Sequence, residues 1–394
     1  MRFIEKKFLY IIVCFLFVHI CYAQKNFIPQ ILLTQEKNNH TTHFFYAFEN
    51  NAITFNEITD KNQWQQKWKY EFLTKKNIEL ISANIGDISG NGNQELVVIA
   101  YSFGDNAEIY IFNTDNKIPS GTPQIYALPN LQKGTKPIQA ELLKWDLDKD
   151  KEIILSVSSP ERKILVLDYA INKLKPLENL AQAFMLNTYG PTQFLTADYN
   201  KDNKDDIIIL NNSNQPTIHS IISNQSSFDS PLNLVDKLQS FHIIESNNQN
   251  YEIGLTQSGK LILLLENQII ESANKFEKII GSNKNDILLL SKQNQIIQGT
   301  ITENKDLIIN QSKPSPLTNT NQTLHISNRQ ETHLLLTNHN PKTAILVSLN
   351  PLNIRSLDYI DNTPIIKKTQ DQGFVENIAP QTQPKTNTVL NDTL

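Results

Sequence analysis

The chain has 394 residues, of which 39% are hydrophobic and 19% charged, and a formal net charge of -4. That length carries a large core, and the slightly acidic balance, with no basic stripe or RNA-binding aromatic motif, excludes an electrostatic case for nucleic acid. Both cysteines, Cys14 and Cys21, fall within residues 1–23, so the remainder has no disulfide staple and no thiol nucleophile.

Taken in order, the chain begins with Arg2, Lys6 and Lys7, continues through the apolar stretch Phe8–Ile20, and reaches the small-residue cleavage pattern Cys21-Tyr22-Ala23. Residues 1–23 therefore read as a secretory signal peptide. An acylated Cys21 is the competing reading, and the bulky Ile20 argues against it. The apolar stretch is short for a membrane span and no second one follows. A mature chain from Gln24 is expected to have no transmembrane span and to be secreted or held at the cell surface, the periplasm being the alternative.

From Gln24 one pattern recurs seven times: an apolar approach strand, a polar loop, an acidic or polar residue, a dense aliphatic run, and a further apolar strand. The first copy is His43–Phe48, Asn50-Asn51 and Ala52–Phe55. The second runs from Ile78–Ile85 through Asp87–Glu95 to Leu96–Tyr101 and Glu108–Phe112. The third passes from Ile138–Trp145 through Asp146–Glu152 to Ile153–Leu155 and Ile164–Leu167, and the fourth takes Phe194–Asn211 with Thr217–Ile222. Copies five to seven centre on Glu252–Leu255, Asp286–Leu290 and His333–Leu336. The markers at 43, 95, 152, 206, 252, 286 and 333 give a mean period of about 48 residues, within the range of propeller repeats.

Runs such as Leu96–Ala100 and Ile207–Leu210 are apolar at consecutive positions and bounded by Asn, Asp and Gly, which predicts short strands covered on both faces. The expected fold over residues 24–362 is all-β, a β-propeller of seven four-stranded blades. Ile28–Thr34 is expected to close the ring by pairing with the last blade. Residues 363–394, with Pro364, Pro380 and Pro384 among Gln, Thr, Asn and Lys, read as a flexible tail or linker.

The fourth copy carries metal-ligand spacing. Asp198, Asn200 and Asp202 alternate, Lys204 follows, and Asp206 opens the aliphatic run. A hard cation such as Ca²⁺ takes six to eight oxygens, and a curled loop aims side chains 1, 3 and 5 inward, adds the backbone carbonyl of residue 7, and closes with a later carboxylate. Asn203 stands where a positive φ is needed, which Asn tolerates. The Lys201 and Lys204 side chains are expected to point away from the ion, and Asp205, adjacent to a ligand on a strand, to be a solvated charge.

The loops at Asp87, Asp146 and Asp198, each followed by an acid and an aliphatic run, resemble the FG-GAP and VCBS repeats of integrin-alpha-like β-propellers. In that family D-x-D-x-D-G-x-x-D-L binds Ca²⁺ in a hairpin loop between the first strands of a blade. The resemblance is specific over residues 84–101, 138–156 and 191–211, and periodicity extends it across residues 27–360. The Phe-Gly and Gly-Ala-Pro words are largely absent, with Tyr189-Gly190-Pro191 standing in a comparable place. Carried over by residue, the resemblance implies calcium ligands at Asp198, Asn200, Asp202, Lys204 (backbone) and Asp206. In the second copy it implies Asp87, Ser89, Asn91, Asn93 (backbone) and Glu95, with Gly92 at the turn and weaker binding from fewer charges. In the third it implies Asp146, Asp148, Asp150 and Glu152, in a loop two residues shorter just before Glu152. Copies five to seven lack the acidic triplet.

The sequence offers little in the way of catalytic constellations, although acid pairs such as Asp205-Asp206 could serve glycoside cleavage, where separation in space decides the chemistry. No H-x-x-x-H or H-E-x-x-H spacing, nucleophile elbow, P-loop or dinucleotide fingerprint occurs. His43 and His333 read as strand residues, and Trp64, Trp68 and Tyr70 as packing within the first blade. The function expected is a calcium-binding scaffold for adhesion or for binding an extracellular protein or glycan. The alternative is a propeller enzyme, a hydrolase or lyase acting on extracellular polysaccharide. A channel-facing carboxylate whose loss abolished turnover would favour the enzyme.

Overall fold

The structure, a computed structural model, describes most of residues 27–359; residues 1–26, 177–192, 360–394 and shorter internal segments lie outside the described residues. The expected signal peptide, the tail and Tyr189-Gly190-Pro191 therefore fall outside it. Every regular element described is a β-strand, and among the described residues no helix is long and apolar enough to cross a membrane.

The strands group into seven blades. Blade 1 is β1 (Phe27–Lys37), β2 (His40–Glu49), β3 (Ala52–Ile58) and β4 (Gln63–Glu71). Blade 2 is β5 (Ile78–Gly86), β6 (Glu95–Ser102), β7 (Ala107–Asp115), the short β8 (Ile118–Pro119) folding back on β7, and β9 (Gln124–Ala127). Blade 3 is β10 (Pro137–Leu143), β11 (Glu152–Val157), β12 (Ile164–Ala170) and β13 (Lys173–Pro176). Blade 4 is β14 (Gln193–Ala197), β15 (Asp206–Asn211), β16 (Thr217–Ile221) and β17 (Phe228–Pro231). Blade 5 is β18 (Leu238–Ser246), β19 (Gln249–Thr256), β20 (Leu261–Leu263) and β21 (Gln268–Ile270). Blade 6 is β22 (Phe276–Asn283), β23 (Asp286–Ser291), β24 (Gln295–Ile301) and β25 (Leu307–Pro314). Blade 7 is β26 (His325–Ile326), β27 (His333–Thr337), β28 (Ala344–Leu349) and β29 (Leu352–Tyr359).

Each blade is an antiparallel meander, and the first strands of successive blades lie beside one another: β1 next to β5, then β10, β14, β18 and β22, with β1 also beside β26 and β27. This is a seven-bladed propeller with the first strands innermost. The second strand of each blade is what the aliphatic runs become. Every residue of β6 and of β11 is buried, and the period of two divides them between neighbours. Leu96, Val98 and Ala100 pack against Tyr46, Phe48 and Phe55 of blade 1. Val97, Ile99 and Tyr101 pack against Ile153, Leu155 and Val157 of blade 3. The alternation recurs in blade 6, where Ile287 and Leu289 face blade 5 and Leu288 and Leu290 face blade 7. One sheet thus seals two interfaces, and consecutive apolar residues are the cost of being covered on both faces.

Ring closure differs from the expectation. Ile28–Thr34 pairs inside its own blade, with Ile28 opposite Phe48 and Thr34 opposite His43. The sequence pattern places the first copy one strand late: its approach strand is β1, His43–Phe48 is the second strand and Ala52–Phe55 the third. The reason is local. Blade 1 fills its second strand with aromatic rather than aliphatic residues, and the tight turn with Asn50 at φ 55 joins it to β3 as an ordinary hairpin. Closure instead runs along the outer edge, where β29 lies parallel to β4 with Asp358 opposite Gln63 and Tyr359 opposite Trp64. The Asp358 N–H donates to Asn62 O at 2.9 Å. Behind this pairing Trp64 packs on Phe27, Phe45 and Tyr359, with ring centroids 5.1, 5.3 and 4.4 Å away, and Leu335, Leu346 and Leu357 complete the seam.

The inner strands share a further device. In blades 1, 2, 3, 5 and 6 the register between first and second strand slips near the start of the first strand, and nearby amide side chains tie one inner strand to the next. Gln30 Oε1 accepts from Ala83 N at 3.2 Å, and Asn84 Nδ2 donates to Ala140 O at 3.0 Å. Gln139 Nε2 donates to Phe194 O at 2.9 Å and Gln239 Nε2 to Glu277 O at 3.0 Å. Part of the Asn and Gln content thus holds blades together.

Candidate metal centres

The three acidic loops join the first and second strands of blades 2, 3 and 4, so they stand at the same end of the ring. Each ends on an acid that opens the second strand and is buried: Glu95 at 3% exposure, Glu152 at 4% and Asp206 at 0%. A buried carboxylate must find donors or a cation. Glu95 Oε2 accepts from Ile88 N at 3.0 Å and Oε1 from Ser89 Oγ at 2.9 Å. Glu152 Oε2 accepts from Trp145 N at 2.9 Å. The closing acid therefore fastens its second strand to the loop that precedes it.

The loops of blades 2 and 4 share two bonds, while a third in blade 4, from Asp202 N to Asp198 Oδ1 at 3.0 Å, has no counterpart in blade 2. Gly92 N donates to Asp87 Oδ2 at 2.8 Å, and Asn203 N to Asp198 Oδ2 at 2.9 Å. Asn93 N donates to Asn91 Oδ1 at 2.7 Å, and Lys204 N to Asp202 Oδ1 at 2.9 Å. The φ angles agree as well, 68 and 87 at Gly90 and Gly92 against 63 and 67 at Lys201 and Asn203. Asn203 takes the left-handed conformation expected of it, and Lys201 takes one that the spacing does not reveal, since a lysine there is unusual. Its side chain is exposed. Asn200 lies outside the described residues.

In blade 3 the loop is shorter, yet Glu152 is not withdrawn. Carboxylate oxygens of Asp146, Asp148 and Glu152 lie within 4.8 Å of one another, the group among the described residues whose acidic atoms converge in this way. Asp148 N donates to Asp146 Oδ1 at 3.0 Å. Crowding shows in the acid strengths. Glu152 is pushed up to about 7, first by burial and then by the charges of Asp146 and Asp148. Asp148 is also pushed up to about 7, by desolvation and by its hydrogen bonds and charge contacts with Asp150 and Asp146. Asp168, from β12, is raised by burial and by Asp150 and Asp146. Asp150 also faces the neighbouring loop, 3.6 Å from where a side chain on Gly90 would begin.

The donor chemistry of the loops suits a hard cation. The three loops offer carboxylate, amide and hydroxyl oxygens with no sulfur or imidazole, a set suited to Ca²⁺ rather than to a transition metal. Asp87 Oδ1 is buried without a hydrogen-bond partner while Oδ2 is engaged, leaving one oxygen to be satisfied. The residues fit a calcium ion, Asp146, Asp148 and Glu152 best among those described.

Asp205 is not the solvated charge its position suggests. Its Oδ2 accepts from Lys144 N at 2.7 Å and its own N–H donates to Lys144 O at 2.7 Å, fastening the blade 4 loop to blade 3. Lys151 N donates likewise to Asp87 O at 2.9 Å, linking blade 3 to blade 2. Burial raises the Asp205 carboxyl against the pull of the Lys144 amide. A partner on another blade leaves no trace in local spacing, which is why the sequence conceals this role.

Blade 6 lacks the triplet but keeps its opening acid. Asp286 Oδ2 accepts from Gln298 Nε2 at 2.6 Å, and Oδ1 from Thr300 Oγ1 at 2.5 Å and Asn310 Nδ2 at 3.3 Å. Side-chain donors from β24 and β25 surround the carboxylate there. His43 is buried, with Nδ1 3.2 Å from Thr34 Oγ1, as a strand residue. The His333 side chain is outside the described residues. Trp64 and Tyr70 are buried, and Trp68 packs on Tyr70 and Phe112, the last from blade 2.

No family model matches the sequence, and no curated protein matches it. Solved structures do resemble it. A protein from Lactobacillus plantarum is 10% identical, with 85% of this chain and 95% of that chain covered and a TM-score of 0.50. Dihydro-heme d1 dehydrogenase NirN in complex with DHE is 9% identical at a TM-score of 0.49, and the match covers 84% of this chain but 66% of that one. The β-propeller domain of Cps50 (Swd1) from Myceliophteria thermophila is 10% identical at 0.41, covering 71% and 89%. At such identities the likeness is one of fold: this chain is an all-β protein with the sheet order of a seven-bladed propeller.

Proposed function

We propose that this propeller is an exported calcium-binding scaffold of the FG-GAP and VCBS kind, holding Ca²⁺ in the loops of blades 2, 3 and 4 and presenting the ring to an extracellular protein or glycan. The observation that carries the reading is the convergence of Asp146, Asp148 and Glu152 oxygens within 4.8 Å. Carboxylates brought that close repel, and a divalent cation turns the repulsion into attraction. Bound calcium would clamp each hairpin loop and, through the Lys151–Asp87 and Asp205–Lys144 links, hold adjacent blades in register.

Extracellular calcium modules bind at roughly 10⁻⁴ to 10⁻³ M. Calcium at ten times its dissociation constant stabilises by about 1.4 kcal/mol per site. For a chain of this size that is about 2 °C per site in melting temperature, or about 6 °C for three loops. Thermal unfolding in calcium and in chelator, with magnesium as control, measures this. A calcium shift that shrinks in Asp198→Ala supports the reading. No shift in either protein removes calcium from the account.

A further inference from the structure

Asn91-Gly92 is the single Asn-Gly step in the sequence, and it lies at the exposed tip of the blade 2 loop. Such a step is chemically labile, because a backbone nitrogen followed by no Cβ can reach the preceding carboxamide. Here both partners are also prepared. The nucleophile, Gly92 N, donates its proton to the carboxylate of Asp87 at 2.8 Å, a general base in place. The electrophile, the Asn91 carboxamide, has its Oδ1 polarised by Asn93 N–H at 2.7 Å, a donor aimed where negative charge develops during attack.

We infer that Asn91 is a site of spontaneous deamidation, and that its aspartate product adds a third carboxylate to the blade 2 loop, beside Asp87 and Glu95, and strengthens its hold on calcium. The Gly92 N–H proton passes to Asp87, and Gly92 N bonds to the Asn91 side-chain carbonyl carbon. The amide nitrogen leaves as ammonia, carrying away the proton, and a succinimide remains. Water then opens the ring at the side-chain carbonyl, restoring the normal main chain with Asp at 91. Opening at the main-chain carbonyl instead gives isoaspartate.

The loop accommodates aspartate without change, because blade 4 already has one. Asp202 stands where Asn91 does, its Oδ1 accepts from Lys204 N as Asn91 Oδ1 accepts from Asn93 N, and the flanking φ angles match. Asp150 fills the corresponding place in the third loop. Isoaspartate would lengthen the main chain by one atom and break that hydrogen-bond pattern. The second half of the inference rests on the calcium reading; the first does not.

The full chain incubated at mildly alkaline pH, digested and sequenced by mass spectrometry, tests the first half. The amide-to-acid mass increment is expected at Asn91 ahead of the other asparagines, faster in the folded than in the urea-unfolded chain, and slowed in Asp87→Asn. Equal or slower conversion in the folded chain overturns the activation by Asp87 and Asn93. Calcium titration of Asn91→Asp against Asn91→Gln tests the second half, with a dissociation constant about tenfold lower expected for the Asp variant because added ligand charge tightens such sites. Equal affinities overturn the strengthening. If neither variant binds calcium at this loop the calcium reading fails for blade 2 and the strengthening falls with it, while the mass measurement judges deamidation separately.

Discussion

Asp148→Asn in the blade 3 loop should move the melting temperature in opposite directions with and without calcium. Asp146 and Glu152 lie within 4.8 Å of Asp148, and two unit charges at that separation repel by about 0.9 kcal/mol in a water-like dielectric. Screening at physiological salt reduces this to about 0.5 kcal/mol per pair. Asp148 is exposed but Glu152 is buried, so the water-like value is a lower bound for that pair. Removing the charge relieves both pairs and stabilises the metal-free protein by about 1 kcal/mol, a rise of about 1 to 2 °C. At ten times its dissociation constant calcium contributes about 1.4 kcal/mol, so a variant that has lost this site nets about 0.4 kcal/mol below the wild type and melts about 0.5 °C lower. Paired scans in chelator and in millimolar calcium, at pH 8 where the carboxylates are ionised, measure both arms. A drop in chelator would mean that the carboxylate makes a favourable contact, and an unchanged calcium shift would mean that it touches no ion. Either outcome refutes the argument.

Burial, with the crowded charges added to it, sets a pH dependence. Glu152 and Asp148 are held near 7 in the folded state, above their unfolded values, so folded protein binds protons more tightly between about pH 4 and 7. Their contribution is therefore most favourable below the unfolded values and is lost as pH rises through about 7; denaturant titrations of the metal-free protein should show stability falling over that window, while the calcium-induced gain grows. Asp286→Ala in blade 6 removes the bonds from Gln298 and Thr300 to this carboxylate, which should cost about 1 to 3 kcal/mol equally in calcium and in chelator. Trp64→Ala empties the seam between blades 7 and 1 and should cost about 3 to 5 kcal/mol, read as a lower denaturation midpoint with hydrogen exchange increased at the β4–β29 pairing.

The architecture was legible because one physical demand repeats. A second strand covered on both faces must be apolar at every position, and Leu96–Tyr101, Ile153–Leu155 and Ile207–Ile209 announce it in sequence. Blade 1 hid its phase by meeting that demand with Phe44, Phe45, Tyr46 and Phe48, and outer-edge closure was illegible because two pairs, Asp358–Gln63 and Tyr359–Trp64, create it across almost the whole chain. The loops show the same division. Alternating Asp and Asn positions mark the turn, and the blade 2 and blade 4 loops form it with matching bonds. What spacing could not convey is which loop concentrates charge. The full-length match at Asp198 favours blade 4, whereas among the described residues it is the shortened blade 3 loop that brings three carboxylates together. Contacts between blades, such as Asp205 to Lys144, leave no mark in either loop.

The central claim is most directly tested by a crystal structure grown in millimolar calcium. The account predicts an ion among Asp146, Asp148 and Glu152 with six to eight oxygens at about 2.3 to 2.6 Å, and further ions in the loops opening at Asp87 and Asp198. Blade 3 carboxylates found hydrogen-bonded to one another with no ion between them, at that calcium concentration, would contradict it.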